Sequence, residues 1–341
     1  MHKIVITGGA GFIGSHVADK IVAEYPNAQL VILDKMTYAA DFDNISQVLK
    51  GNQRRLHVGD LCDLDFCMRL TKGADLVIHL AAESHVDNSF GNSLMFTRSN
   101  TLGTHALLEA CRVNGVRRII HVSTDEVYGE IREGYHCESD SLDPTNPYSA
   151  SKAAADMIVN SYVRSFKMPI VTVRSNNIYG TRQYPEKLIP RCTMLGLTRQ
   201  KFVLHGNGKN SRRYLAASDF ADAIFLLAQK GTCGEIYNVG SQAEYTNLQI
   251  VEMIAARLGV SAEKMTAFVA DRPFNDSRYA IDCSKIKALG WTQLRPLEKH
   301  LTEVMQWYRD NLRRYAHLFD TAYCTTEKAD LTALEPLAMA V

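Results

Sequence analysis

The stretch KIVITGGAGFIG, Lys3 to Gly14, decides the fold. Its first residues form a short β-branched run that reads as a strand. Glycines follow at 8, 11 and 14, and FIGSHVADKIVAEY, Phe12 to Tyr25, then has the spacing of a helix. Glycines in those places let the backbone turn tightly, approach a phosphate closely and let the helix pack near the strand. The helix N-terminus points its free N–H groups at the same spot, where a pyrophosphate would lie.

Working outward, LVILD ends in Asp34, about 20 residues past Gly14, where a carboxylate accepts hydrogen bonds from an adenosine ribose. A 2′-phosphate there would meet like charge, so the cofactor expected is NAD; Lys35 softens that argument without reversing it. A glycine-rich turn alone deserves little weight, and the strand–loop–helix context with Asp34 carries the reading. In the same frame Gly8, Gly11, Phe12, Ile13 and Gly14 face the cofactor. Asp60 and Leu61 of GDLCD lie against the adenine. Leu80, Ala81 and Ala82 of HLAAES, whose alanines are small, let the cofactor lie close across the sheet edge.

RLHVGD, DLVIHLAA, RRIIHVS and MPIVTVRS continue the alternation of short apolar strands with helical segments, which argues for a parallel sheet wound on both faces. The fold class expected is α/β: a Rossmann-type doubly wound parallel sheet with a smaller C-terminal substrate-binding α/β domain. NPYSASKAAADMIVNSYVRSF reads as a long helix with Asn146 as cap and Pro147 in its first turn. TNLQIVEMIAARLG reads as another, from Thr246 to Gly259. From about Gly180 the pattern loosens, and GEIYNVGS returns as a strand. The division expected is 1–180 for NAD, 181–319 mainly for substrate with some elements returning to the first sheet, and 320–341 as a loosely attached tail.

The 341 residues carry 46% apolar and 22% charged side chains and a net charge of +1. That excludes a one-sign field for nucleic acid or an acidic membrane. Eight cysteines are scattered without C-x-x-C pairs or zinc spacing, which suits reduced thiols in a cytosolic protein. The start reads as a strand, not a signal peptide, and no apolar run approaches a bilayer span. No metal is expected: His79, His85 and His121 lie near strand ends without ligand spacing and read as structural or near the substrate.

Tyr148 and Lys152 lie four apart and share a helix face. An ammonium beside a phenol, helped by an oxidised nicotinamide, would lower a pKa that ordinarily sits near about 10. Tyr148 would then take a hydroxyl proton while hydride leaves the same carbon. Y-x-x-x-K is common by chance; the glycine loop upstream and VSTDEVYG between them give it meaning.

TGGAGFIG, HLAAESHVD, STDEVYG, NPYSASKAAAD, RSNNIYG, YPEKLIP and ADRPFNDSRYAID together resemble the extended short-chain dehydrogenase/reductase superfamily. Within it the chain is similar to nucleotide-sugar 4,6-dehydratases, above all the dTDP-glucose 4,6-dehydratase family, over about Met1 to Tyr308. The resemblance implies a hydro-lyase with bound NAD that makes a 4-keto-6-deoxy sugar for deoxysugar (rhamnose-type) synthesis. It implies Thr124, Asp125, Glu126, Tyr148 and Lys152 as the catalytic set. Glu126 would be the base at C5, Asp125 the acid at the C6 hydroxyl, and Thr124 would hold the C4 oxygen with Tyr148. Two neighbouring, partly buried carboxyls raise one pKa, as an acid requires.

The resemblance also implies a diphosphate arginine at Arg212, further contacts from Arg272 and Asn275, and Ser84, Asn177, Glu186 and Lys187 around the sugar and diphosphate. Arg213 reads as a solvated charge. Asn275 stands where dTDP-glucose relatives often have His, and RSNNIYG departs from CSNNYG; both variants look more like relatives that use UDP-glucose. One thymine methyl is worth only about 1–3 kcal/mol in a pocket, so both bases stay open. Two other readings compete. A sugar 4-epimerase would not need Asp125 and Glu126, and a non-catalytic NAD-binding regulator would need neither the carboxyls nor Tyr148. Family resemblance further suggests a homodimer through helices near 93–114 and 147–167.

Overall fold

The computed structural model describes residues 1–271 and 275–319. The strands are β1 (Lys3–Thr7), β2 (Gln29–Asp34), β3 (Arg54–Val58), β4 (Leu76–His79), β5 (Ile119–Val122) and β6 (Ile170–Ser175), followed by β7 (Asn177–Tyr179), β8 (Phe202–His205), β9 (Ser211–Ala216), β10 (Ile236–Val239), β11 (Glu244–Thr246) and β12 (Thr266–Val269). The main helices are α1 (Phe12–Glu24), α2 (Leu64–Thr71), α3 (Gly103–Val113), α4 (Pro147–Phe166), α5 (Leu188–Leu197), α6 (Ala217–Lys230), α7 (Asn247–Leu258) and α8 (Leu297–Asp310).

Seven strands form one parallel sheet in the order β10-β6-β5-β4-β1-β2-β3. The strand order reverses at β1 and β4, which leaves a crevice beyond their C-terminal ends. Alternate residues of one strand face opposite layers. Ile4, Ile6, Ile32 and Ile78 join the core beneath α1 and α6. Val5, Val31, Leu33 and Val77 join the core beneath α2, α3 and α4. Covering both faces explains the near-continuous apolar strands, each fully buried aliphatic contributing about 1.5–3 kcal/mol.

α4 begins as its sequence dictates. The Asn146 side chain accepts from Ser149 N at 2.9 Å, Ser149 Oγ reciprocates to Asn146 N at 3.1 Å, and Pro147 fills the first turn. α7 repeats the device with Thr246 and Gln249, and Gly259 ends it at φ 69°. The expected helix near 93–114 is composite: Ser93–Phe96 is α-helical, Thr97–Leu102 is a π turn and α3 follows.

The segment from 181 to 230, which the sequence pattern leaves loose, holds α5, β8, β9 and α6. α5 lacks a polar face because it is buried nearly all round. Its Gly196 lets α7 approach so closely that a Cβ would lie 2.3 Å from Leu258 Cδ1. The NNIYG segment, which reads as a loop, contributes β7 to a second sheet, β11-β9-β7. That sheet, with α5, α7 and α8, encloses a separate core around Phe202, Ile254 and Val304. α6 and β10 return to the first sheet. Arg272 and the tail 320–341 lie outside the described residues.

Candidate active site

The crevice at the strand ends is lined by Gly8, Gly11, Phe12, Ile13, Gly14, Asp34, Lys35, Asp60, Leu61, Leu80, Ala81 and Ala82, with Tyr148 and Lys152. The glycines are needed for space. Gly8 has φ 70°, and a Cβ there would lie 2.7 Å from the Ala81 backbone; at Gly14 it would lie 2.0 Å from Gly8 O. Gly11 starts α1 without a side-chain cap, so the first-turn N–H groups stay open toward the crevice. The Asp34 carboxylate is fixed by Ala10 N and Met36 N, each at 2.9 Å. Lys35 pairs with Asp60 at 2.9 Å, so its charge is matched by a carboxylate of the chain. A bare glycine cradle ending in a fixed carboxylate fits a dinucleotide with an unphosphorylated adenosine ribose.

Beyond the cradle, Thr124, Asp125 and Glu126 leave β5 and line the same crevice as Tyr148 and Lys152. Thr124 caps a single 3₁₀ turn over Asp125–Tyr128, its hydroxyl accepting from Glu126 N at 3.3 Å. Asp125 is 3% exposed and accepts a 2.6 Å hydrogen bond from Asn176 Nδ2. Burial, then the charge of Glu126, pushes its carboxyl up to about 7. Burial also raises Glu126, opposed by the charges of Arg212 and Lys187. Burial thus raises both neighbouring carboxyls, Asp125 to about 7, and Lys187 opposes the rise at Glu126.

The side chains alone do not favour phenolate. Burial, then the charge of Glu126, raises the pKa of Tyr148. Lys152 does not lower it within the chain alone: its ammonium donates to Val122 O at 2.7 Å, and burial brings it down to about 8. The neighbouring Thr124 hydroxyl opposes the rise at the phenol. The phenolate thus requires cationic help from beyond these side chains.

A second cavity continues from the first through Glu126, Asn177, Glu186 and Lys187 and is lined farther out by Arg212, Asn275, Tyr279 and His205. Ser84 borders the first cavity, and its carbonyl accepts from Lys187 Nζ at 2.8 Å. Arg212 lies over the Tyr279 ring at 4.7 Å and reaches Asn275 Oδ1 at 3.4 Å, a planar cation held toward the cavity. Arg213 is no solvated charge. It is 4% exposed and paired with Glu244 at 3.0 Å, because β9 alternation turns it away from Arg212. His79 and His121 are buried, held by Thr7 and Thr104 and by Asp156. His85 borders the second cavity.

Sequence reading missed several contributors. Asn176 binds Asp125 but stands beside the selected Asn177, and nothing local tells the two apart. Asn100, in the π turn, ties Glu83 O (3.0 Å) to Ser151 Oγ (2.9 Å) of α4. Gln183 and Tyr184 also line the crevice, supplied by a loop without periodicity.

Comparison with known proteins places this geometry. A family model described as GDP-mannose 4,6 dehydratase matches residues 5–304. A trifunctional UDP-glucose 4,6-dehydratase/3,5-epimerase/reductase of Arabidopsis thaliana is 45% identical over 316 residues, 91% of this chain but 47% of the relative, so the chain spans about half that protein's length. The dTDP-D-glucose 4,6-dehydratase of Mus musculus is 40% identical over 320 residues, covering 92% of this chain and 90% of the relative. The dTDP-glucose 4,6-dehydratase DesIV of Streptomyces venezuelae, solved with NAD bound, superposes with TM-score 0.89 at 36% identity, covering 94% of this chain and 99% of that one.

Proposed function

Because the chain belongs to the GDP-mannose 4,6 dehydratase family, we propose that it is an NAD-dependent hydro-lyase converting dTDP-glucose or UDP-glucose to the 4-keto-6-deoxy sugar. One observation carries the choice over an epimerase of the same fold: Asp125 and Glu126 sit as a pair of neighbouring carboxyls in the cleft that also holds Tyr148. An epimerase oxidises and re-reduces one carbon and has no use for an acid–base pair there.

Tyr148 takes the proton of the sugar's C4 hydroxyl, with Thr124 lining the same cleft. The chemistry that bound NAD supplies is the acceptance of one hydride from C4, its return at C6, and the ring charge that helps Lys152 favour phenolate. The C4 ketone acidifies the C5 proton, which Glu126 removes. Asp125 gives its proton to the C6 hydroxyl, which departs as water. Glu126 then returns its proton to C5 and ends as it began, while Tyr148 has gained one proton and Asp125 has lost one, and that single proton is reset through solvent. Arg212 and Lys187 hold the diphosphate between the two cavities, and Asn177 and Glu186 border the hexose.

The test is incubation with each nucleotide-glucose, followed by the ultraviolet absorbance of a 4-keto sugar in alkali. Asp125→Asn with Glu126→Gln removes that product while NAD binding persists. Wild-type turnover in the double variant ends the assignment. Two finer points belong to the same reading. The enzyme works in the cytosol, consistent with free cysteines at 62, 67, 111, 137, 192, 233 and 283. It is a homodimer through the helices near 93–114 and 147–167, where Leu94 and Met157 are left exposed.

A further inference from the structure

The segment after β2 crosses the cofactor end of the cleft. Thr37, Ala39 and Ala40 line that cleft. Just beyond them the segment is fastened to the glycine loop: Ala10 O accepts from Asp41 N at 3.1 Å and from Asn44 Nδ2 at 2.9 Å. Ala10 N in turn donates to Asp34 at 2.9 Å, so fastening and ribose carboxylate share one residue.

Two arginines from far along the chain clamp the same short piece. Arg314 donates from Nε to Asp41 Oδ2 at 2.8 Å and from Nη2 to Asn44 Oδ1 at 2.7 Å. Its guanidinium lies over the Trp307 and Tyr315 rings. Arg182 donates from Nη1 to Asn44 O at 3.0 Å and from Nη2 to Asp19 Oδ2 on α1 at 2.5 Å. Between the two clamps, Tyr38 of the segment meets Tyr184 edge-on at 5.3 Å, and Tyr184 meets Tyr315 at 6.1 Å.

We propose that Arg182 and Arg314 are positioning residues that buckle residues 37–44 over the dinucleotide, so that the cofactor stays in the protein from one turnover to the next. The inference rests on the NAD-dependent dehydratase reading. In that reaction one hydride leaves and returns within a cycle, and escape of the reduced cofactor beside a ketone would end turnover. Neither arginine lines the cleft among the described residues, so each acts on retention through the strap and not through the chemistry.

The experiment loads the full-length protein with NADH and chases it with excess NAD, following the loss of protein-bound NADH fluorescence. Arg314→Ala and Arg182→Ala each release NADH roughly tenfold faster or more than wild type. Their KM for NAD rises, while kcat at saturating NAD stays near wild type. Arg314→Lys, which keeps a cation beside Asp41 but not both hydrogen bonds, falls between. Asp41→Asn removes the ion pair without disturbing the aromatic bed and guards against misfolding of Arg314→Ala; folding is checked by circular dichroism and Tm. Release rates within twofold of wild type in folded Arg314→Ala and Asp41→Asn overturn the clasp while leaving the dehydratase reading intact. Failure of the wild-type protein to bind NADH at all removes both.

Discussion

A carboxylic acid can hand a proton to a leaving hydroxyl only if it holds one at working pH, and an ordinary aspartate does not. Asp125 meets the requirement through burial and through Glu126, which together raise it to about 7. Glu126 is raised by burial as well, with the charges of Arg212 and Lys187 opposing that rise. The activity consequence follows from protonation state. If Asp125 is the acid of the proposed reaction, kcat/KM falls on the alkaline side as pH rises through about 7, where its carboxyl loses its proton. On the acid side it falls as Glu126 becomes protonated. A profile flat from pH 6 to 9 would rule out Asp125 as the acid. Stability moves with the same group. Its folded pKa lies above its unfolded one, so the native state binds more protons in the window between them, and stability falls as pH rises from the ordinary aspartate range to about 7. Asp125→Asn relieves that cost. Thermal denaturation should give the variant a Tm a few degrees above wild type at pH 8, with the gap closing below pH 4. A wild-type protein that is the more stable of the two at pH 8 contradicts the buried-acid account.

The tuning of Asp125 depends on how strands end. β6 stops at Ser175, β7 begins at Asn177, and the chain changes sheets at Asn176, where its backbone N donates to Val239 O at 3.3 Å. Gly240, immediately after β10, leaves the space that the Asn176 amide fills: a Cβ there would lie 1.9 Å from Asn176 Oδ1. Gly240→Ala should therefore displace Asn176, release Asp125 and lower kcat by roughly 10²-fold, the scale of a 1 Å misplacement in a catalytic site, while NAD binding changes little. Stopped-flow turnover beside a cofactor titration checks both halves, and unchanged kcat would show that Asn176 does not matter to the acid. This connection spans 64 residues and two sheets, which is why it was not legible in the chain. Periodicity and turn chemistry report what a residue does to its neighbours within a few positions. They located β1, the glycine loop, Asp34 and the capped starts of α4 and α7, whose causes are local. They could not choose between Asn176 and Asn177, or see that Arg213 turns inward to Glu244 while Arg212 borders the cavity. Those facts are set by strand register across the sheet.

At the scale of the molecule, the sheet and its two helical layers make the crevice, the second core makes the outer cavity, and long-range pairs such as Arg314 with Asp41 join the two. α4 spans these scales. Tyr148, Lys152 and Asp156 lie on its buried side, whereas Met157 is 69% exposed on the other. Leu94, in the turn before the π segment, is 80% exposed, and Leu102 is exposed as well. Together they leave apolar surface on the two helical segments proposed above as the homodimer face. A face of this kind, covered by its own equivalent across a two-fold axis, forms a four-helix arrangement whose stability comes from apolar burial at about 25 cal/mol per Å². Light scattering should therefore give twice the chain mass for the wild-type protein. Leu94→Glu with Met157→Glu places like charges in that face and should give a single-chain mass. Because α4 carries Tyr148 and Lys152 on its buried side, the separated chains should also melt at a lower temperature yet keep NAD binding, since no cradle residue among the described ones lies on the outer face. A wild-type protein that scatters as one chain, or a double variant that still pairs, would show that these leucines and the methionine face solvent.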